Sequence, residues 1–152
     1  MIDAHIVVPA MTSVQGGSPV PKERLELDMP AVDGMLDVVR LAMGAIASKA
    51  AFDVDDVEDL QLAADELCAS VVRCLGGALA RLRIVTTWDD GYLEARCTGG
   101  SWSDGSDDDI GDFEVDKTAM VLSRLILDTL VDEHGSADDG RVAWFVKRGP
   151  GS

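Results

Sequence analysis

Glu66 is the residue of this chain best placed to do chemistry. Val57, Leu60, Ala64, Leu67, Val71 and Cys74 recur at steps of three and four residues, the spacing of one apolar helix face. A carboxylate beside that stripe must be paired, solvated through a pocket, or used, because an isolated buried charge is too costly to keep. The plainer reading of Glu66 is a partly exposed helix carboxylate paired with Arg73 or another surface base. The cysteines offer a second kind of chemistry. Cys68, Cys74 and Cys97 are odd in number and sit in apolar surroundings, without the paired spacing or nearby histidine pair of a zinc site. Cys68 and Cys74 lie about 9 Å apart along one helix, too far for a local bridge. The three read as buried free thiols, which places the chain in a reducing cytoplasm. A calcium loop is the third candidate, in the acidic stretch from Asp104 to Asp116. It needs a glycine at its sixth position and a glutamate at its twelfth. Counting from Asp104, these positions hold Asp109 and Val115, so no metal is expected there.

The elements that must hold these residues follow from periodicity. Met1 to about Lys22 contains Gly16-Gly17-Ser18-Pro19 and Pro21 with no sustained period, and reads as a mobile extension (1–22) ahead of a single domain (23–148). From Glu23, Leu25, Leu27 and Met29 alternate with Arg24, Glu26 and Asp28 in a first strand closed by Pro30. Met35, Val38, Val39, Ala42, Ile46 and Ala50 define a first helix to about Ala51. The second, the helix of Glu66, is capped by Asp53 or Asp55 and ends at Gly76-Gly77. Leu82, Ile84, Thr86 and Trp88 alternate in a strand that turns at Asp89-Asp90-Gly91 into a return strand, Tyr92–Cys97. Gly99 to Asp116 reads as a solvated, disordered loop, in which Trp102, Ile110 and Phe113 suggest docking on the domain or a partner. Thr118 to Val131 is a third helix, and Ser136 to Gly140 turns into a last strand, Arg141–Arg148. Strand, helix, helix, strand, strand, helix, strand implies an α+β two-layer sandwich: a mainly antiparallel sheet with helices on one face.

Composition removes several classes of function. The chain has 152 residues, 47% of them apolar, enough for one core without disulfides or metals. Lys and Arg number 13 against 28 Asp and Glu, a net charge of −15. Such a surface repels phosphate backbones and anionic membranes and favours basic protein partners, so no nucleic-acid or membrane binding is expected. No stretch approaches the roughly 20 apolar residues that span a bilayer, and the N-terminus lacks the basic and apolar regions of a signal peptide.

The string Leu62-Ala63-Ala64-Asp65-Glu66-Leu67-Cys68-Ala69-Ser70 resembles the first nucleotide-binding box of the GHKL (Bergerat, histidine-kinase-like) ATPases, and among them the anti-sigma factor/serine-protein kinase branch. The order of elements from about Glu23 to Arg148 is similar to that branch as well. In the family this box carries a catalytic Glu and, four residues later, an Asn that ligates Mg²⁺. The resemblance therefore implies a general base at Glu66 and places Ser70 at the metal position, where a hydroxyl is a shorter and weaker ligand than an amide. The second box, Asp-x-Gly-x-Gly, falls on Cys97-Thr98-Gly99-Gly100-Ser101. Cys97 stands where an Asp reads adenine, Gly99 matches the middle glycine, and a thiol is a poor acceptor in place of a carboxylate. The third box, a glycine-rich phosphate cradle, falls on Lys117 to Ser123, which contains no glycine. The acidic loop takes the place of the family's mobile lid.

The resemblance implies a histidine-kinase-like ATPase fold whose nucleotide site is degenerate, with ATP and Mg²⁺ disfavoured as cofactors. It implies an anti-sigma factor that sequesters a sigma factor by binding, forms a homodimer and is released by an anti-anti-sigma protein. The alternative is an ATP-dependent serine-protein kinase acting on an anti-anti-sigma protein, with Glu66 as base.

Overall fold

Regular alternation and two long amphipathic stretches dictate most of the elements. The computed structural model describes residues 4–7, 22–32, 34–75, 80–101 and 116–150. The chain runs β1 (His5–Val7), β2 (Glu23–Pro30), α1 (Met35–Lys49), α2 (Val54–Arg73), β3 (Ala80–Asp89), β4 (Tyr92–Ser101), α3 (Lys117–Leu130), β5 (Glu133–Ala137), a 3-10 turn at Asp138–Gly140 and β6 (Val142–Arg148). The strands form one sheet in the order β1-β2-β3-β4-β6-β5, with every pair antiparallel.

The helices cover one face of this sheet, as expected. Leu27 and Met29 of β2, Leu82, Ile84, Thr86 and Trp88 of β3, Leu93, Ala95 and Cys97 of β4, and Ala143 and Phe145 of β6 are all buried. The register places these residues side by side: Leu27 opposite Ile84, Ile84 opposite Cys97, Cys97 opposite Ala143, and Ala95 opposite Phe145. The intervening positions carry charge on the open face, where Glu26 meets Arg24 at 2.9 Å and Arg83 at 2.5 Å, and Asp28 meets Arg81. This two-layer α+β sandwich is the architecture expected from the order of elements.

Local chemistry sets the helix ends. The Asp53 side chain caps α2 by accepting from the Asp56 amide at 2.9 Å. Its buried face is Leu60, Ala63, Ala64, Leu67, Cys68 and Val71. On α3, Asp116 accepts from the amides of Thr118 at 2.9 Å and Ala119 at 3.4 Å. Lys147 of β6 ties the two helices together: its ammonium donates to the Leu130 carbonyl at 2.8 Å and lies 3.3 Å from the Asp56 carboxylate. Among the described residues no helix is long and apolar enough to cross a membrane.

Three differences from the sequence reading concern strands. His5–Val7, left to the N-terminal extension, pairs with Glu26–Asp28 as an edge strand. Three residues are too few to show alternation; the free edge of β2 is what makes them a strand. β4 does not stop at Cys97 but continues through Thr98-Gly99-Gly100-Ser101, because Ala80–Arg83 of β3 supplies a paired partner. β5 replaces part of the expected turn. Its sequence, Glu-His-Gly-Ser-Ala, has no β-branched or aromatic residue, so only its ladder with β6 makes it extended. Gly76-Gly77 and the stretch from Trp102 to Val115, with Ile110 and Phe113, lie outside the described residues.

One ion pair between α1 and α2 yields a pH prediction. Burial pushes the Asp65 carboxyl above its ordinary 3.8, against the lowering effect of Arg40, while Asp37 raises it further. The Arg40 guanidinium lies 3.4 Å away. A raised value means the folded chain holds this proton more tightly than the unfolded chain. The resulting stability is full below 3.8 and is lost as pH rises through the raised folded value. Asp65→Asn should therefore leave stability at neutral pH within about 0.5 kcal/mol of wild type or slightly above it. It should also flatten the pH dependence just above 3.8. Urea unfolding at a series of pH values checks both; a clear loss at neutral pH would mean that the Arg40 pair outweighs desolvation.

Candidate functional site

The C-terminal half of α2, the inner side of α3 and the β5–β6 hairpin enclose a cleft of about 280 Å³. Its polar lining includes Ser70 and Arg73 from α2, Asp116, Ser123 and Arg124 from α3 and its cap, and His134 and Ser136 from β5. Each position follows from a local constraint. Ser70 and Arg73 lie on the flank of α2 next to its buried stripe, where Leu67 and Val71 point into the core. Gly140 adopts φ +86°, and a Cβ there would collide with Cys74 Sγ, so the turn into β6 passes directly against the end of α2.

The cleft lining carries two guanidinium groups, an imidazole and one carboxylate. Arg73 reaches back along α2, with both terminal nitrogens 3.3 Å from Glu66 Oε1. His134 Nε2 lies 2.6 Å from Asp128 Oδ1. Burial pushes the Cys74 thiol up despite the nearby Arg73, so it stays protonated and is not an activated nucleophile. Among the described residues there is no cluster of three or more His, Cys, Asp or Glu that could hold a metal ion. The two guanidinium groups and the imidazole offer positive charge and hydrogen-bond donors to an anionic group.

The residues singled out by sequence separate in space. Ser70 lines the cleft, but its hydroxyl donates to the Leu67 carbonyl at 2.7 Å. Glu66 lies one step behind, paired with Arg73 as the plainer of its two readings anticipates. Cys97 does not reach the cleft; it is fully buried beneath α2, where the neighbouring Cys68 thiol and burial push its own thiol well above the usual range. Gly99 is a packing position, since a Cβ there would lie 2.6 Å from Val71 Cγ1 and 2.7 Å from Leu75 Cδ1. The amides of Thr118 and Ala119 at the start of α3, in the segment that the resemblance assigns to a phosphate cradle, donate to the Asp116 carboxylate. At the positions that the resemblance assigns to adenine, metal and base stand a buried thiol, a hydroxyl that donates to a helix carbonyl, and a carboxylate paired with a guanidinium. Sequence reasoning missed Ser123, Arg124 and His134 as lining residues. The one available signal was Ser123, a hydroxyl in phase with the apolar residues of α3.

No family model matches the chain. Over 51 residues it is 33% identical to the serine-protein kinase RsbW of Bacillus cereus (strain AH187), a match covering 34% of this chain and 32% of that protein. The RsbW proteins of Bacillus thuringiensis (strain Al Hakam) and Bacillus anthracis (strain CDC 684 / NRRL 3495), also serine-protein kinases, match with the same identity and coverage. The chain thus aligns with about a third of the length of the curated relatives it matches.

Proposed function

We propose that this chain regulates by binding: an anti-sigma-factor-like protein that holds a sigma factor away from RNA polymerase, with ATP binding lost or weakened. One observation carries the reading. The four positions that answer to the nucleotide boxes, Glu66, Ser70, Cys97 and Gly99, are engaged in an ion pair, a helix carbonyl bond and core packing. The partial similarity to serine-protein kinases supports descent from that kind of regulator. The net charge of −15 supports a basic protein surface as the target, reached faster through electrostatic steering. An anti-anti-sigma protein would compete for the same chain and release the sigma factor.

The second reading, a serine-protein kinase acting on an anti-anti-sigma protein, is favoured by the names of the matched relatives and by the Arg73 and Arg124 side chains in the cleft.

Association with a purified sigma factor, followed by stopped flow from low to high salt, tests the binding reading. The association rate should fall at least about tenfold while dissociation changes little. Adding the chain should suppress sigma-dependent transcription. Incubated with ATP·Mg²⁺ and an anti-anti-sigma protein, neither wild type nor Glu66→Gln should transfer phosphate. Phosphoserine formation by the wild type, reduced about 10²–10⁴-fold in Glu66→Gln, would promote the kinase reading.

A further inference from the structure

The third helix has two unlike sides. Its outer side leaves Val121, Leu122, Leu125 and Ile126 exposed to solvent. Its inner side turns Met120, Ser123 and Leu127 towards the end of α2 and the β5–β6 hairpin, where they line the cleft of about 280 Å³. Ser123 is the unusual member of this lining. Serine and threonine hydroxyls within a helix ordinarily donate to a carbonyl one turn back. Ser48 does so to Gly44, Ser70 to Leu67 and Thr129 to Ile126. Ser123 is 4% exposed, and its hydroxyl has no hydrogen-bond partner among the described residues. No fully buried side-chain oxygen is left unpaired among those residues, so Ser123 Oγ opens onto the cleft. A hydroxyl withdrawn from bulk water and unused by the fold is a donor available to a ligand.

Charge in the cleft is arranged around that hydroxyl. Arg124, the next residue of α3, has no ion-pair partner among the described residues. The other cationic side chains are engaged. Both terminal nitrogens of Arg73 lie 3.3 Å from Glu66 Oε1, and His134 Nε2 lies 2.6 Å from Asp128 Oδ1. Asp116 is the one acid of the lining, and its carboxylate accepts from the Thr118 and Ala119 amides. A single unpaired guanidinium suits a single negative charge. A phosphate chain carries several, and would set them against Asp116 with too little positive charge to balance them. The rest of the lining is apolar, from Cys74, Met120, Leu127 and Ala143. At about 280 Å³ the space lies at the lower limit of ligand pockets, which begin at about 300 Å³. Of Glu66, Ser70, Cys97 and Gly99, to which the resemblance assigns nucleotide roles, Ser70 alone lines the cleft, and its proton already goes to the Leu67 carbonyl.

We propose that this cleft binds a small organic monoanion: a carboxylate carried on a compact apolar body, one ring or a short branched chain. The carboxylate pairs with the Arg124 guanidinium and accepts from the Ser123 hydroxyl, a charge-assisted arrangement stronger than a neutral one. The body displaces water from Met120, Leu127 and Ala143. Such a ligand touches α2, α3 and the hairpin at once. The site does not depend on whether the chain captures a sigma factor.

Titration of the full chain with benzoate and isovalerate, their neutral amides and inorganic phosphate, followed by backbone amide chemical shifts, tests this. At least one carboxylate should give saturable shifts centred on Ser123, Arg124 and Leu127, with a constant of about millimolar or tighter. Its neutral amide and phosphate should each bind at least about tenfold more weakly. Arg124→Gln should weaken the carboxylate about tenfold or more, and Ser123→Ala about threefold. Arg124 is exposed and the Ser123 hydroxyl makes no bond within the fold, so circular dichroism melts should show both variants folded. Absence of saturable binding by either carboxylate overturns the proposal. So does an amide that binds as well as its acid, or a carboxylate indifferent to Arg124→Gln. Phosphate binding more tightly than both carboxylates overturns it as well, and gives the cleft to a phosphate compound.

Discussion

ATP·Mg²⁺ titrated into this chain should bind no more tightly than about millimolar, roughly 4 kcal/mol short of a micromolar nucleotide site. Adenine selection needs an anionic or carbonyl acceptor, and at the position that the resemblance assigns to it the Cys97 thiol is fully buried and kept protonated by Cys68 and by burial. Moving this thiol to meet a ligand would open the core beneath α2. At the position that the resemblance assigns to the metal ligand, Ser70 offers only a short hydroxyl, whose proton goes to the Leu67 carbonyl at 2.7 Å, a weaker ligand than an amide. At the start of α3 a phosphate would have to displace Asp116, a carboxylate already bonded to the amides of Thr118 and Ala119. The guanidinium groups of Arg73 and Arg124 remain as attraction for phosphate, which is why weak binding, dependent on salt and indifferent to the base, is the expected residue of affinity. Isothermal calorimetry with ATP, GTP and inorganic triphosphate checks this. A micromolar constant specific for ATP would contradict it and restore the kinase reading.

Phe145→Ala should cost about 3–5 kcal/mol of stability. For a chain of this size that is a fall in melting temperature of about 6–20 °C. Phe145 is fully buried on β6, opposite Ala95 of β4 and His134 of β5, at the junction of the sheet with the helix layer. Truncation removes the transfer energy of an aromatic ring and leaves a cavity under α2 that the paired strands on either side cannot collapse to fill. Its neighbour Trp144 provides the internal comparison. Alternation places Trp144 on the opposite face of β6, only partly buried and lying over Gly135, where a Cβ would come within 2.8 Å of the ring. Trp144→Ala should therefore cost clearly less than Phe145→Ala. Thermal melts of the two variants side by side measure the difference, and equal losses would contradict this assignment of faces.

The candidate site was legible only in its parts. Glu66 stood out because a carboxylate beside an apolar stripe is a local anomaly, and its pairing with Arg73 lies within one helix, two turns apart. Cys97 read as a small core residue from the alternation of β4. Nothing local, however, indicates that the Cys68 thiol lies against it or that α2 rests on Gly99. Arg124 and His134 gave no signal at all. They belong to one cleft only because α3 and the β5–β6 hairpin pack around the end of α2.

The sequence by itself determined the elements whose hydrogen bonds and apolar period are local. These include α2 with its Asp53 cap, the β3–β4 hairpin around Gly91, and a sheet with one charged and one apolar face. Tertiary structure alone decided β1 and β5, the extension of β4 through Gly99 to Ser101, the cleft, and the uncovered face of α3. The division has one physical reason. A helix carries its own hydrogen bonds and a long strand shows its alternation, whereas a short strand, a cleft wall or an exposed face exists only by virtue of what packs beside it or fails to.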